Sequence, residues 1–297
     1  MKLPIVKYRN VWFALSALLT AGAIAALFAF PLRFGIDFTG GSLMEVKFTG
    51  QLPAVSDVRD FMSEAGYSDN VVQPIGSDGL IVRLKHIDET SHQKLLADLT
   101  AKFGDAKELR FETVGPSVGD ELRKKAAWSL ALVLIGICSY IAFAFRKVSK
   151  PVASWKYGII TLIPAIFHDV LLPVGVTAVL GHYFLVEVNS GFIAALLTVL
   201  GFSVHDTIVV FDRVRENLLK TQGSFEEIVD RSVNETLARS INTSLSTLFP
   251  LLAIFLWGGE TLKWFALTLI IGLIAGTYSS IFLCAPLLVV FQKKSRR

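Results

Sequence analysis

The sequence predicts an α-helical integral membrane protein with six transmembrane helices and a small α+β, ferredoxin-like extracytoplasmic domain between helices one and two. Three observations carry that prediction. Of the 297 residues, 53% are hydrophobic and 18% charged, and the apolar residues gather in uninterrupted runs near helix-spanning length rather than in the pattern of one large soluble core. From about Arg33 to Lys125 the pattern changes to alternating strands and amphipathic helices. The net charge of +4 is small, and its lysines and arginines cluster in short loops, which reflects membrane topology and not nucleic-acid binding.

Residues 1–10 form a cytoplasmic N-terminus in this reading. Lys2, Lys7 and Arg9 precede the first span, residues 11–31. A cleaved signal peptide has the same charge order, but its apolar core is only about 7 to 15 residues and ends at small residues. Here the run is longer and closes on Phe28, Phe30, Pro31 and Leu32, so it reads as a retained anchor. Residues 32–127 are the extracytoplasmic domain. Leu43, Glu45 and Lys47 alternate with Met44, Val46 and Phe48 as a first strand, and Pro53 to Gly66 is a helix ending in glycine. Two short strands, Asn70–Ile75 and Leu80–Lys85, flank a Gly-Ser-Asp-Gly turn. Asp88–Phe103 is a second helix and Leu109–Val114 the last strand. The order β-α-β-β-α-β is that of a ferredoxin-like sandwich, which fixes no activity by itself.

A polar lead-in helix at Asp120–Ala127 runs into the second span, 128–145; the third is 157–180, the fourth 190–212, the fifth 240–257 and the sixth 262–291. Residues 213–239 form a polar cytoplasmic loop with a helical pattern after the cap-like Gly223-Ser224, and 292–297 a cytoplasmic tail. With both termini, the basic loop of Arg146, Lys147, Lys150 and Lys156, and the 213–239 loop inside, Lys263 is the only basic residue of the two short outer links. Short cytoplasmic loops retain lysine and arginine, so this asymmetry orients the chain.

Chemistry concentrates in the fourth span, Gly201-Phe-Ser-Val-His205-Asp206-Thr-Ile-Val-Val-Phe-Asp-Arg213. Thr207 to Phe211 remain mostly apolar, which sets Asp206 about 9 Å inside the polar boundary at Asp212. A carboxylate at that depth costs about 2.5 to 3.5 kcal/mol on insertion scales and faces a bundle interior or a watered cavity. The fifth span opens with Arg239, Asn242, Thr243 and Ser246, a spacing that puts all four on one helical face. Hydroxyl and amide side chains also serve as plain helix-packing contacts, and a cytoplasmic-end arginine can snorkel. If spans four and five run antiparallel, an Asp206–Arg239 ion pair that opens on protonation would be a two-state element for a transmembrane gradient.

The third span sets Thr161, Pro164 and His168 on one face beside Asp169, and its proline frees a carbonyl that a neighbour must satisfy. Asp169 is a candidate for the same polar core as Asp206. Thr268, Gly272, Gly276 and Ser280, at four-residue intervals in the sixth span, would let a helix approach closely, within this chain or from another. His168-Asp169 and His205-Asp206 do not make a metal site, because adjacent helical residues point about 100° apart. Cys138 and Cys284 lie inside apolar runs as small core residues. There is no phosphate loop and no G-x-G-D or H-E-x-x-H pattern, which argues against direct ATP use and against an intramembrane protease.

Several stretches together resemble the SecF family, the smaller subunit of the SecDF protein-export complex. They are Gly35-Ile-Asp-Phe-Thr-Gly-Gly41, Val114-Gly-Pro-Ser-Val-Gly-Asp-Glu-Leu122, Phe167-His-Asp-Val170, Gly201 to Asn217, and Thr236-Leu-Ala-Arg-Ser-Ile-Asn-Thr-Ser244. The resemblance implies an RND-like half-bundle in the bacterial inner membrane that pairs with SecD, associates with SecYEG and helps move exported preproteins outward. Its energy source would be a proton or sodium gradient, with no cofactor, no metal and no catalytic site of its own. It implies ion coupling at Asp206 and Arg239, which match the family's intramembrane acid and base; Asp169, His205, Asn242 and Thr243 are the further candidates around them. Gly35, Asp37, Gly40 and Gly41 correspond to the family's external motif. Two other readings stand beside it: a structural assembly subunit with a fixed Asp206–Arg239 pair, and an RND-type small-molecule exporter, for which the outer domain is small.

Overall fold

The computed structural model describes residues 3–104, 106–146, 152–220 and 222–295. The basic residues Lys2, Lys147 and Lys150, and Arg296 and Arg297 of the tail, lie outside them. The chain divides into a membrane unit, residues 1–32, 128–186 and 191–297, and a sheet unit, residues 33–127 and 187–190.

The sheet unit contains α2 (Ile36–Thr39), β1 (Gly41–Phe48), α3 (Val55–Glu64), β2 (Val71–Ile75), β3 (Gly79–Leu84), α4 (Glu89–Phe103) and β4 (Ala106–Val114). The strands pair antiparallel in the order β2-β3-β1-β4, the ferredoxin-like arrangement that the alternation predicts. Met44, Val46 and Phe48 of β1 are buried against Val58 and Met62 of α3 and Leu95 and Leu99 of α4, as period-2 and period-3.6 patterns require when they share one core. Asp88 caps α4 by accepting from the Ser91 N–H at 2.9 Å.

Among the described residues, six helical stretches are long and apolar enough to cross a membrane. They are α1 (Arg9–Ala29); α5 (Pro116–Ala144); α6 (Ser154–Pro164) continued by α7 (Leu171–Phe184); α8 (Ser190–Lys220); α9 (Phe225–Trp257); and α10 (Glu260–Ser279) continued by α11 (Ala285–Ser295). The third, fourth and sixth stretches are about half buried or more, whereas the other three are largely uncovered. Several bounds differ from expectation. Helix α8 runs eight residues past Asp212, because Arg213–Glu216, Arg215–Asp212 and Lys220–Glu216 pairs at i,i+3 and i,i+4 spacing support a charged helical extension. The polar loop is therefore mostly helix: α9 begins at Phe225 behind a full capping box between Ser224 and Glu227.

Two π-helical segments interrupt the interior spans. Ala165–Val170 joins α6 to α7, and Ser280–Cys284 joins α10 to α11. Pro164 lacks the N–H that would bond the Ile160 carbonyl, and the Cys284 thiol of the second π segment donates to that carbonyl at 3.8 Å. The small-residue stripe of the sixth stretch meets α8 within this chain. A Cβ on Gly276 would stand 2.8 Å from the Ser203 Cβ, and one on Gly272 2.2 Å from the Val199 Cγ2. Ser280 donates to the Ser203 carbonyl at 2.9 Å. Residues 199, 203 and 207 thus step in parallel with 272, 276 and 280, as two spans crossing in the same direction do.

The N-terminal segment, the end of α8, the start of α9 and α11 meet in one core. Ile5 and Val6 are buried with Val214, Val229, Val233 and Leu288, and Glu226 pairs with both Arg9 and Lys293 at 2.9 Å.

Candidate functional site

Asp206 is 6% exposed in the interior of the membrane unit. Its Oδ2 receives the Thr277 hydroxyl from α10 at 3.5 Å, and Thr277 Oγ1 lies 2.6 Å from Ser244 Oγ on α9. Each hydroxyl carries a single proton, and the Leu273 and Ser240 carbonyls one turn earlier are alternative acceptors for Thr277 at 2.9 Å and for Ser244 at 2.9 Å. A polar line therefore runs from α8 across α10 to α9.

The Asp206–Arg239 ion pair is not formed. Arg239 is exposed on α9, and among the described residues no ion pair joins it to a carboxylate. The physical reason lies in the packing: in the bundle interior α10, carrying Thr277, stands between Asp206 and Ser244. Near the start of α9 the two helices are instead bridged directly, by Asn217 to Ser232 and Glu235 and by Arg213 to Glu235. Asn242, Thr243 and Ser246 share the exposed face with Arg239. His205 is exposed on α8 and forms no hydrogen bond with Asp206; its neighbours Val204 and Asp206 are turned inward.

Asp169 has no exposed surface. It sits in the first π segment and accepts three bonds: from Ser203 of α8 at 2.5 Å, from Ser279 of α10 at 2.9 Å, and from His168 Nδ1 at 3.0 Å. His168 is buried, stacks on Tyr278 with ring centres 5.2 Å apart, and leaves Nε2 without a partner. Ser203 lies one turn before Asp206, and Ser279 two residues after Thr277. Asp169 and Asp206 are thus linked through the same two helices and not by a direct bond. Thr161 is buried and bonds its own helix at the Tyr157 carbonyl.

Sequence reasoning missed Ser203, Ser244, Thr277 and Ser279. The visible signal was the hydroxyl-dense run Gly276-Thr-Tyr-Ser-Ser280 inside an apolar segment. Among the described residues no group of three or more histidine, cysteine or acidic side chains could hold a metal ion.

The glycine motif lies in the sheet unit. Gly40 has φ +70 and Gly41 φ +134, and a Cβ at either would stand 2.9 Å from the Pro116 Cα or 2.7 Å from the Leu84 carbonyl oxygen, so only glycine fits this turn. Arg123 donates to the Phe38 carbonyl at 2.6 Å. Gly35 donates to the Val188 carbonyl at 2.9 Å, and Asp37 Oδ2 accepts from the Ser190 N–H at 2.7 Å and its hydroxyl at 2.5 Å. Next to it, Glu187 pairs with Arg83 at 2.8 Å. Burial raises the Glu187 carboxyl above its ordinary 4.5, and the Arg83 guanidinium opposes that shift without cancelling it.

Residues 94–294 match the family described as the C-terminal part of the protein export membrane proteins SecD/SecF, and residues 25–51 match the SecD/SecF GG motif. The protein translocase subunit SecF of Thermobaculum terrenum is 46% identical, with 98% of this chain and 95% of that protein aligned. The SecF of Anaerolinea thermophila is 39% identical over 98% and 94% of the two chains. The crystal structure of SecDF from Thermus thermophilus, a translocon-associated membrane protein, superposes with a TM-score of 0.86 at 33% identity. That superposition covers 99% of this chain and 39% of the longer SecDF chain. On these similarities and on the shared helical architecture, the chain belongs to the SecF family of protein translocase subunits, as a multi-pass membrane protein.

Proposed function

We propose that this chain is the SecF half of an ion-driven export machine, acting with SecD to promote translocation of preproteins that emerge from SecYEG. The observation that carries the reading is the buried Asp206 at one end of a hydroxyl line that reaches Ser244 on α9, the helix whose exposed face carries Arg239. A face bearing Arg239, Asn242, Thr243 and Ser246 would be costly against lipid, whereas a second half-bundle supplying an acid would satisfy it. SecD is that second half in this reading, and Arg239 meets the SecD side rather than Asp206.

Protonation and release at Asp206 then change the charge of a site shared by α8, α9 and α10, and the two states differ in which helices they hold together. The energy source is a proton or sodium gradient and no cofactor is required; the chain contributes no catalytic site. The sheet unit stands on the extracytoplasmic side, where it meets the emerging chain, and both termini face the cytoplasm of a bacterial inner membrane. The scaffold alternative needs a fixed Asp206–Arg239 pair, which this chain does not make alone.

The test is export of a secreted precursor into inverted membrane vesicles carrying this chain with SecD, with and without an imposed proton gradient. Stimulation by the gradient in wild type and its loss in Asp206→Asn are expected. Equal stimulation of both would return Asp206 to a structural role.

A further inference from the structure

The sheet unit is inserted between the first and second spans, so chain connectivity alone ties it to α1 and α5. The structure adds a third attachment. The four residues Glu187–Ser190, directly ahead of α8, belong to the sheet unit. Three contacts hold them there. The backbone of Val188 bonds Arg33 at 2.7 Å and Gly35 at 2.9 Å. Glu187 pairs with Arg83 of β3 at 2.8 Å. Asp37 takes both the N–H and the hydroxyl of Ser190, the first residue of α8. A carboxylate there satisfies a helix donor that has no partner within the helix and complements the helix dipole.

From Ser190 the helix runs unbroken to Lys220 without a proline. Asp206 lies sixteen residues on, about 24 Å along the axis at the α-helical rise. We propose that Glu187–Ser190 is a permanent mechanical latch with Asp37 as its positioning residue. Through it, a shift of α8 set by the state of Asp206 is delivered to the sheet unit. This rests on the reading of Asp206 as the ion-coupling group, and it gives Asp37 of the glycine motif a specific task.

The experiment measures amide hydrogen exchange in the full chain with its SecD partner, in lipid nanodiscs, for wild type, Asp206→Asn, Asp37→Ala and the double variant. Loss of the cap should speed exchange at Ser190 to Phe192 on the order of tenfold, and Asp37→Asn, which keeps an acceptor oxygen, should restore most of it. The decisive readout is the response of the sheet-unit peptides 33–41 and 80–85 to Asp206→Asn. A clear change in exchange is expected with Asp37 present and a markedly smaller one with Asp37→Ala, where only the Val188 and Glu187 contacts remain, a dependence that a merely stabilising cap would not create. A response of equal size in both backgrounds overturns the latch. No response in either background also overturns it, and proton uptake by Asp206→Asn reconstituted with SecD into sealed proteoliposomes then decides separately whether the ion-coupling reading falls with it. Should Asp37→Ala fail to assemble, Ser190→Ala removes one of the two bonds, and a partial loss of the response is expected. An undiminished response there overturns the latch equally.

Discussion

Replacing Asp169 by alanine removes an acceptor shared by the third, fourth and sixth membrane stretches. Three donors converge on it: Ser203 at 2.5 Å, Ser279 at 2.9 Å and His168 at 3.0 Å. Ser279 keeps a second acceptor in the Gly276 carbonyl at 3.1 Å, whereas the other two lose a buried partner. Interhelical hydrogen bonds in membrane proteins are worth about 0.6 kcal/mol on average and up to about 1.7. Two of the three, from Ser203 and Ser279, are interhelical, and made to a carboxyl group without exposed surface they give a loss of about 1 to 3.5 kcal/mol before any cost of the cavity or of the stranded His168 Nδ1. Asp169→Asn keeps the volume and one acceptor oxygen and should cost less than half as much. The assay is unfolding of the purified chain in mixed micelles, run as a double-mutant cycle with Ser203→Ala. In wild type Ser203→Ala should cost about 1 kcal/mol, and in the Asp169→Ala background close to nothing. A cost for Asp169→Ala below about 1 kcal/mol, or an equal cost of Ser203→Ala in both backgrounds, would refute the idea that this carboxyl clamps the interior helices.

Gly276→Ala places a Cβ 2.8 Å from Ser203, forcing α10 off α8 at about 1 to 3 kcal/mol; the same unfolding assay checks it, and a neutral result would mean the helices are not in that contact. Thr277→Val keeps the shape and leaves Ser244 its bond to the Ser240 carbonyl, so stability should change by less than about 1 kcal/mol while gradient-stimulated export falls. Unchanged export would remove Thr277 from the coupling line. For Glu187, the carboxyl carbon resonance should titrate above 4.5, and Arg83→Gln should move it higher still, because Arg83 opposes the shift more than Arg33 does. A folded-state midpoint raised above the unfolded one means stability is greatest below 4.5 and falls as pH rises through that midpoint; a midpoint below 4.5 would contradict the dominance of burial.

Much of this arrangement was legible in the sequence because its signals are local. Alternation in Leu43–Phe48 and the leucines of Asp88–Phe103 place the sheet and its covering helix from side-chain period alone. Asp206 stood out because a carboxylate inside an apolar run has few cheap explanations. The Ser224 cap marks where α9 begins, but the charged stretch after Asp212 reads as the end of a helix, whereas helical charge pairing carries α8 well past the apolar boundary. The partners of the acids were not legible. Serine and threonine are equally at home as packing groups in membrane helices, so taken singly Ser203, Thr277 and Ser279 read like Thr198 or Thr268, which simply bond their own helices; only the hydroxyl-dense run 276–280 sets the latter two apart. Sequence order and charge balance pair Arg239 with Asp206, and only the packing reveals that α10, through Thr277, lies between Asp206 and α9.

The most direct measurement is proton uptake by proteoliposomes containing this chain and SecD, followed with an internal pH dye under an imposed gradient. Wild type should take up protons, and Asp206→Asn should fall to the level of empty liposomes while still copurifying with SecD. Uptake by Asp206→Asn at the wild-type rate would contradict the central role given to the buried carboxyl.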